Sequence, residues 1–265
     1  MTSLTSRSEL IDLLKSILNA RNETKWETLE SLFQPSMLID TTSQSRDAFI
    51  ENLRSASGVS VRLDSCVVDV NAQAVAGRVI KTETLPDGER YECQEIIITW
   101  FVDGRLTTLK RLKDVESRSA KQTATPSTLE ELKPTSLDLG ALYREYIKSI
   151  NDKTMEANFN KFCQSSVTHN TVDKTIAEYI SLISDSQSAI KGLYFDIQDF
   201  IIDKEAGRVA ARLKFTGLPV KVWAGAEPNG KSVEFHEHVM YWLDEGKIHW
   251  VWSVVDLDTY RRQLQ

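Results

Sequence analysis

Tyr241–Asp256, YWLDEGKIHWVWSVVD, decides the reading of this chain, because it aligns without a gap on Thr99–Asp114, TWFVDGRLTTLKRLKD. The two stretches share a Trp, a Gly and a final Asp, and each keeps a basic and then an apolar residue after the Gly. Asp103-Gly104 and Glu245-Gly246 sit between alternating segments and suit a two-residue type I′ turn, in which Gly takes a positive φ without penalty. Working outward, VVDVNAQAVAGRVI (67–80) matches IIDKEAGRVAARLK (201–214), and LFQPSMLID (32–40) matches KFCQSSVTH (161–169). The register offset grows from 129 to 134 to 142, so the second copy carries about eight extra residues, which fall in TGLPVKVWAGAEPNG. The chain is one unit written twice.

Each copy opens with helical spacing and closes with strands. In the second, Leu139, Leu142, Tyr143, Tyr146, Ile147 and Ile150 fall on one helical face, TMEANFNKFC follows, and Ile176, Tyr179, Ile180 and Ile183 mark a third helix near Thr175–Ser184. YFDIQDFII, GRVAARLKF, VEFHEHVMYWL and KIHWVWSVV then read as strands. Helices followed by an antiparallel meander give an α+β fold, twice over. Between the copies, residues 115–137 hold two prolines and no sustained apolar period, which reads as a linker between domains at 1–114 and 138–265.

Composition bounds the function. Across 265 residues, 41% hydrophobic and 26% charged side chains can fill and cover cores, which excludes a disordered chain. No apolar run approaches the ~20 residues of a transmembrane helix, and MTSLTSRSELIDLLKSIL reads as an amphipathic helix rather than a signal peptide. A cytoplasmic location with no membrane partner is the expectation. Cys66, Cys93 and Cys163 are odd in number and widely spaced, giving neither a disulfide framework nor a zinc motif. The net charge of −6 argues against nucleic acid as a partner. Up to residue 135 there are 17 Lys and Arg against 20 Asp and Glu, and 15 against 18 follow, so neither half is a charged tail.

The order helix, helix, helix, then GRVAARLKFTG, PNGKSVEFHEHVMYWLDEGKI and VWSVVD resembles the SnoaL-like polyketide cyclases of the nuclear-transport-factor-two-like superfamily, relatives of ketosteroid isomerase and scytalone dehydratase. The resemblance covers the second copy and reaches the first through the repeat. It implies two tandem cone-shaped α+β barrels, each with three helices packed in a curved antiparallel sheet around an apolar pocket. It also implies no cofactor and no metal.

All four histidines lie in the second copy. With Glu245-Gly246 as the turn and regular strands, paired positions sum to 491, which sets His238 opposite Ser253 and His249 opposite Trp242. His236, His238, Met240, Trp242, His249, Val251 and Ser253 then share one face, and Glu237, Tyr241, Trp250 and Trp252 the other. The pattern does not say which face is concave. In the resembling family an acid/base aspartate points inward from the last strand; here that position is Ser253, which marks the histidine face as the inner one. His236 and His238 are then candidate proton-transfer groups, with Ser253, Met240, Val251 and Trp242 lining the pocket. His169 follows the second helix, where the resemblance implies a polar group at the pocket mouth, and is a third catalytic candidate. Tyr146 on the first helix could donate to an oxyanion, and the glycine-flanked loop with Trp223 could cover a ligand. A His-x-His metal site is the weaker alternative, structural histidines the plain one.

In the first copy Asp40 matches His169, and the matching strand positions Gln94, Ile96, Ile98 and Arg111 form no acid/base set, so that cone reads as degenerate and mainly structural. Tyr241, Trp250 and Trp252 would form an outward aromatic patch, fit for an intramolecular pseudo-dimer of the two cones or for a homodimer. The resulting expectation is a cofactor-independent isomerase, cyclase or dehydratase of secondary metabolism, acting by proton transfer on an apolar, oxygenated polyketide or terpenoid. The alternative is a tandem ligand-binding or protein-interaction module without chemistry.

Overall fold

Two capping boxes start the helical parts. In a computed structural model, which describes residues 3–56, 58–85 and 88–265, the Ser6 side chain accepts from the Glu9 amide while Glu9 reaches back, and Thr175 and Glu178 do the same. Met1 and Thr2, the start of the stretch expected to be helical, lie outside the described residues. The chain divides into two compact units, 1–130 and 131–265.

In the first unit, α1 (Arg7–Asn22) and α2 (Trp26–Leu32) lead into the hairpin β1 (Phe33–Ile39) and β2 (Thr42–Ser45). Helix α3 (Arg46–Ser55) follows, then the meander β3 (Val59–Asp69), β4 (Ala74–Thr84), β5 (Arg90–Val102) and β6 (Arg105–Lys113). The second unit repeats this order as α4 (Leu139–Asn151), α5 (Met155–Phe162), β7 (Cys163–His169), β8 (Val172–Thr175), α6 (Ile176–Ala189), β9 (Ile190–Asp203), β10 (Arg208–Pro219), β11 (Val233–Asp244) and β12 (Lys247–Val255), closed by α7 (Leu257–Arg262). Among the described residues the sheets run β2-β1-β6-β5-β4-β3 and β8-β7-β12-β11-β10-β9. The fold is α+β in tandem, with one refinement: the sheets are mixed, because β1 joins β6, and β7 joins β12, in parallel.

Both tight turns form as expected, with Asp103, Gly104, Glu245 and Gly246 all at positive φ. The strands beyond them are not regular. Leu243↔Ile248 and Asp244↔Lys247 keep the expected register, but from Trp242↔Trp250 onward the pairing is displaced by one residue. The same displacement occurs between Trp100 and Phe101. An extra residue, Thr107 or His249, sits in the last strand of each unit as a β-bulge. A one-residue shift moves every later side chain to the other face.

The repeat itself also shifts. Asn22 bridges the Val61 amide and carbonyl, and Asn151 does the same at Phe195, fixing the offset of 129 at the first helices. At the hairpins Asp40 N–H donates to the Leu109 carbonyl and Asn170 N–H to that of Val251, an offset of 130. Asp40 therefore corresponds to Asn170, and Ile39, not Asp40, to His169. The eight extra residues are real: 13 residues separate β10 from β11, whereas five separate β4 from β5.

Each unit has its own apolar core. Leu10, Leu14, Leu29 and Phe33 anchor the first; Tyr143, Tyr146, Phe159 and Phe235 anchor the second. The stretch 115–137 contains a short 3-10 turn, Ser127–Glu130, and is pinned along its length. Gln122 N–H donates to Glu92 and Thr125 N–H to Asp64 in the first unit, while Lys133 pairs with Asp244 in the second. No described helix is long and apolar enough to cross a membrane.

Candidate active site

The bulge at His249 decides which side chains meet inside the second unit. Beyond it, Glu237, Val239 and Tyr241 share a face with Val251, Ser253 and Val255, because Val239 pairs with Ser253 and Tyr241 with Val251. Helices α4 and α6 cover this face, leaving a cavity of about 150 Å³. Its apolar wall includes Ile147, Ile150, Leu213, Phe215, Phe235 and Val239.

Of the residues singled out from the sequence, His169, Tyr146, Trp223, Val251 and Ser253 line this cavity. His236, His238, Met240 and Trp242 do not; they project from the opposite face, which corrects the expected histidine face. There His238 is fully buried with its Nε2 3.0 Å from Arg212 Nη1, and Trp242 lies under the Arg208 guanidinium at 5.5 Å. His236 is half-buried, and desolvation, with Arg212 nearby, holds its pKa down at about 4. The outward aromatic patch is corrected as well, since Tyr241 turns inward while Trp250 and Trp252 remain together with rings 5.7 Å apart. Among the described residues no three His, Cys, Asp or Glu side chains group as metal ligands.

Reading the face wrongly hid the main titratable group. Glu237 faces the cavity, and the Ser253 hydroxyl donates a short hydrogen bond to its Oε1. Burial pushes the Glu237 carboxyl up to about 7, with the Ser253 bond pulling the other way. Ser253 is itself fixed: Asn170 accepts from its amide and donates to its carbonyl, both at 2.8 Å. Asn170 makes this clamp from a left-handed conformation, φ 45°. One signal could have found Glu237. On β10, Arg208, Arg212 and Lys214 share a parity that water or ion pairs must satisfy, and they pair with Trp242, His238 and His236. The apolar parity, Leu213 and Phe215, pairs with Glu237 and Phe235.

Two further polar groups enter the cavity. The Tyr146 and Tyr179 hydroxyls are 3.0 Å apart, and desolvation raises both phenols above their ordinary pKa, so they stay neutral donors. The His169 ring is 5.8 Å from that of Tyr179, and desolvation lowers its pKa to about 4, leaving a neutral imidazole. Trp223 closes the far end, edge-on to Tyr260 at 5.0 Å and beside Phe235 at 6.0 Å. Its loop is tied to α7, where Arg261 Nε donates to the Ala224 carbonyl at 2.6 Å. Gly217 lies inside β10, where a Cβ would come within 2.6 Å of Ile190.

The family model for SnoaL-like polyketide cyclases matches residues 140–264. A SnoaL-like polyketide cyclase from Agrobacterium tumefaciens is similar at 31% identity over 49% of this chain and 99% of its own, with a TM-score of 0.45. TsrD from Streptomyces laurentii is similar at 18% identity over 50% of this chain and 98% of its own, with a TM-score of 0.45. No curated protein matches the chain. On the family model and the identity to the Agrobacterium protein, the chain belongs to the SnoaL-like polyketide cyclase family.

Proposed function

We propose that the second unit catalyses a cofactor-independent cyclisation or isomerisation of an apolar, oxygenated molecule of polyketide type, with Glu237 as the proton-transfer group. One observation carries this reading: a cavity-facing carboxyl held near neutrality by burial and oriented by Ser253. At pH 7 both protonation states are populated, the condition under which one group can take a proton and return it. The Glu237 carboxylate removes a proton from a carbon beside a carbonyl, and the electron pair moves to the oxygen as an enolate. Of the Tyr146–Tyr179 pair, one hydroxyl proton is used in the mutual bond and the other is free to stabilise that oxygen. The enolate carbon then attacks a second carbonyl, or takes a proton back at another position. Protonated Glu237 returns the proton in either case.

His169, neutral at the cavity wall, contributes a polar edge that orients the substrate, and Val251 and Trp223 contribute apolar surface. The cavity volume of about 150 Å³ sits below the ~300–1,000 Å³ of common ligand pockets, so it takes the reacting end of a substrate rather than a whole extended chain. The same small volume favours a second reading, capture of a compact ligand without chemistry.

Solvent exchange separates the two. Incubated in deuterated buffer with the extract of a strain lacking the gene, the wild-type protein should convert an accumulated precursor, with deuterium at the carbon that takes the proton back if the reaction is isomerisation, and a new carbon–carbon bond with the label only on an exchangeable hydroxyl if it is cyclisation. Glu237→Gln should lose at least a hundredfold in rate. Unchanged turnover by Glu237→Gln would remove the acid/base role, and binding of the precursor without conversion would leave capture alone.

A further inference from the structure

The first unit also encloses a cavity, of about 270 Å³, larger than that of the second. Its wall is aliphatic and aromatic, built from residues such as Leu14, Ile17, Phe33, Phe49, Val79 and Ile97. Side chains of the first unit do not fill it, although that cone reads from the sequence as structural.

The polar groups are placed by the repeat. Glu95 pairs within β4–β6 as Glu237 does within β10–β12, so the same glutamate faces its own cavity in each unit. Among the described residues no hydrogen bond or ion pair satisfies the Glu95 carboxyl, and burial raises its pKa against the pull of Arg111 and Lys81. Around it the charge differs between the units. Arg21, Lys81 and Arg111 line the first cavity, and the corresponding positions in the second hold Ile150, Phe215 and Ser253. Three cations thus stand where the second cavity is neutral, with Glu95 the one acidic residue among the residues lining the first. Their present partners leave them available. Arg111 pairs with Asp40 at 2.8 Å where both are well exposed, Lys81 reaches Glu83 at 3.0 Å, and Arg21 donates to the Val59 carbonyl at 3.3 Å. The exposed Arg111–Asp40 pair contributes little and yields to a better-placed anion, and Glu83 keeps Lys113 and Arg118 if Lys81 turns to one.

We infer that the first unit is a second ligand site, specific for an apolar molecule ending in a carboxylate, whose tail occupies the aliphatic cavity and whose head meets Arg21, Lys81 and Arg111. Glu95 faces that head and, in its protonated form, donates a hydrogen bond to it. The inference is independent of the reaction in the second unit, since none of these residues belongs to that cavity.

Octanoate and 1-octanol, which share a tail and differ in charge, test it by isothermal titration of the full chain at pH 7. Octanoate should bind one to one and at least tenfold more tightly than 1-octanol. Lys81→Met and Arg21→Met should each weaken octanoate about tenfold while leaving 1-octanol unchanged, and Glu237→Gln should leave octanoate binding unaltered. Lys81 is partly exposed and Glu83 retains Lys113 and Arg118 as partners, so the methionine variant keeps the apolar stem and the fold; a circular dichroism melt verifies it. Equal affinity for the two probes, no octanoate binding, or loss of it in Glu237→Gln but not in the first-unit variants would overturn the assignment.

Discussion

Glu237 is a liability for folding as well as an asset for chemistry, and its titration separates the two. Its carboxyl moves from the ordinary 4.5 to about 7 on folding, so the folded state holds the proton more tightly than the unfolded chain. Stability from this group is therefore complete below pH 4.5, falls as pH rises, and is lost above about 7. The difference corresponds to about 3 kcal/mol. Glu237→Gln should melt with the wild type near pH 4 and be more stable by up to ~3 kcal/mol at pH 8, read from paired denaturation curves. Parallel curves at both pH values would contradict the burial argument. Ser253→Ala isolates the opposing influence: losing a hydrogen bond to the ionised form should move the Glu237 midpoint upward by about half to one pH unit, seen by NMR titration of the carboxyl carbon. A downward move would mean that the Ser253 hydroxyl supports the neutral acid instead. Asn170, which holds the Ser253 backbone, is legible only as a turn residue from SSVTHNT, because its task depends on a parallel strand distant in sequence.

At the scale of the element, the bulge in the last strand explains both what the sequence reading reached and what it missed. The turns Asp103-Gly104 and Glu245-Gly246 are local, set by residues that tolerate positive φ, and the register beside them follows. The bulge has no comparable local mark. Thr107 and His249 are ordinary strand residues, and what selects the extra position is the need to put Val251 and Ser253, with Leu109 and Arg111 in the first unit, on the covered face. Regular alternation consequently placed the histidines inside and Glu237 outside. Deleting His249 should remove the bulge while leaving Trp250 opposite Trp242 and Val251 opposite Tyr241, so Ser253 should stay on the covered face and the variant should keep a cooperative melt and the raised Glu237 midpoint. His249→Ala, which keeps the residue count, should cost less than about 1 kcal/mol. If the deletion lost the raised Glu237 midpoint, His249 would not be the surplus residue that the bulge absorbs. The offset of 130 rather than 129 at the hairpin has the same origin, an added residue that hydrophobic spacing does not register.

For the whole molecule, an even charge of −3 in each half conceals cavities of opposite character. Pairing the repeats by structure, rather than by sequence alone, shows a shared glutamate with cations gathered around it in one unit and apolar or hydroxyl groups in the other. Divergence of this kind is possible because each unit has a separate core, with Leu10 fully buried in one and Phe159 in the other. Core residues that share no neighbours contribute independently, whereas residues of one core couple through the cavity each truncation leaves. Leu10→Ala should cost about 2–5 kcal/mol and Phe159→Ala about 3–5 kcal/mol in the unit that carries it. Hydrogen exchange resolves where the cost falls. Leu10→Ala should lower protection in β3 and β4, and Phe159→Ala in β7 and α6, with the double variant showing both losses and an interaction energy within about 0.5 kcal/mol of zero. A larger interaction energy would mean that the two units stabilise one another, and a change at one cavity would then be felt at the other. Additivity would leave each cavity free to acquire its own ligand without disturbing its neighbour.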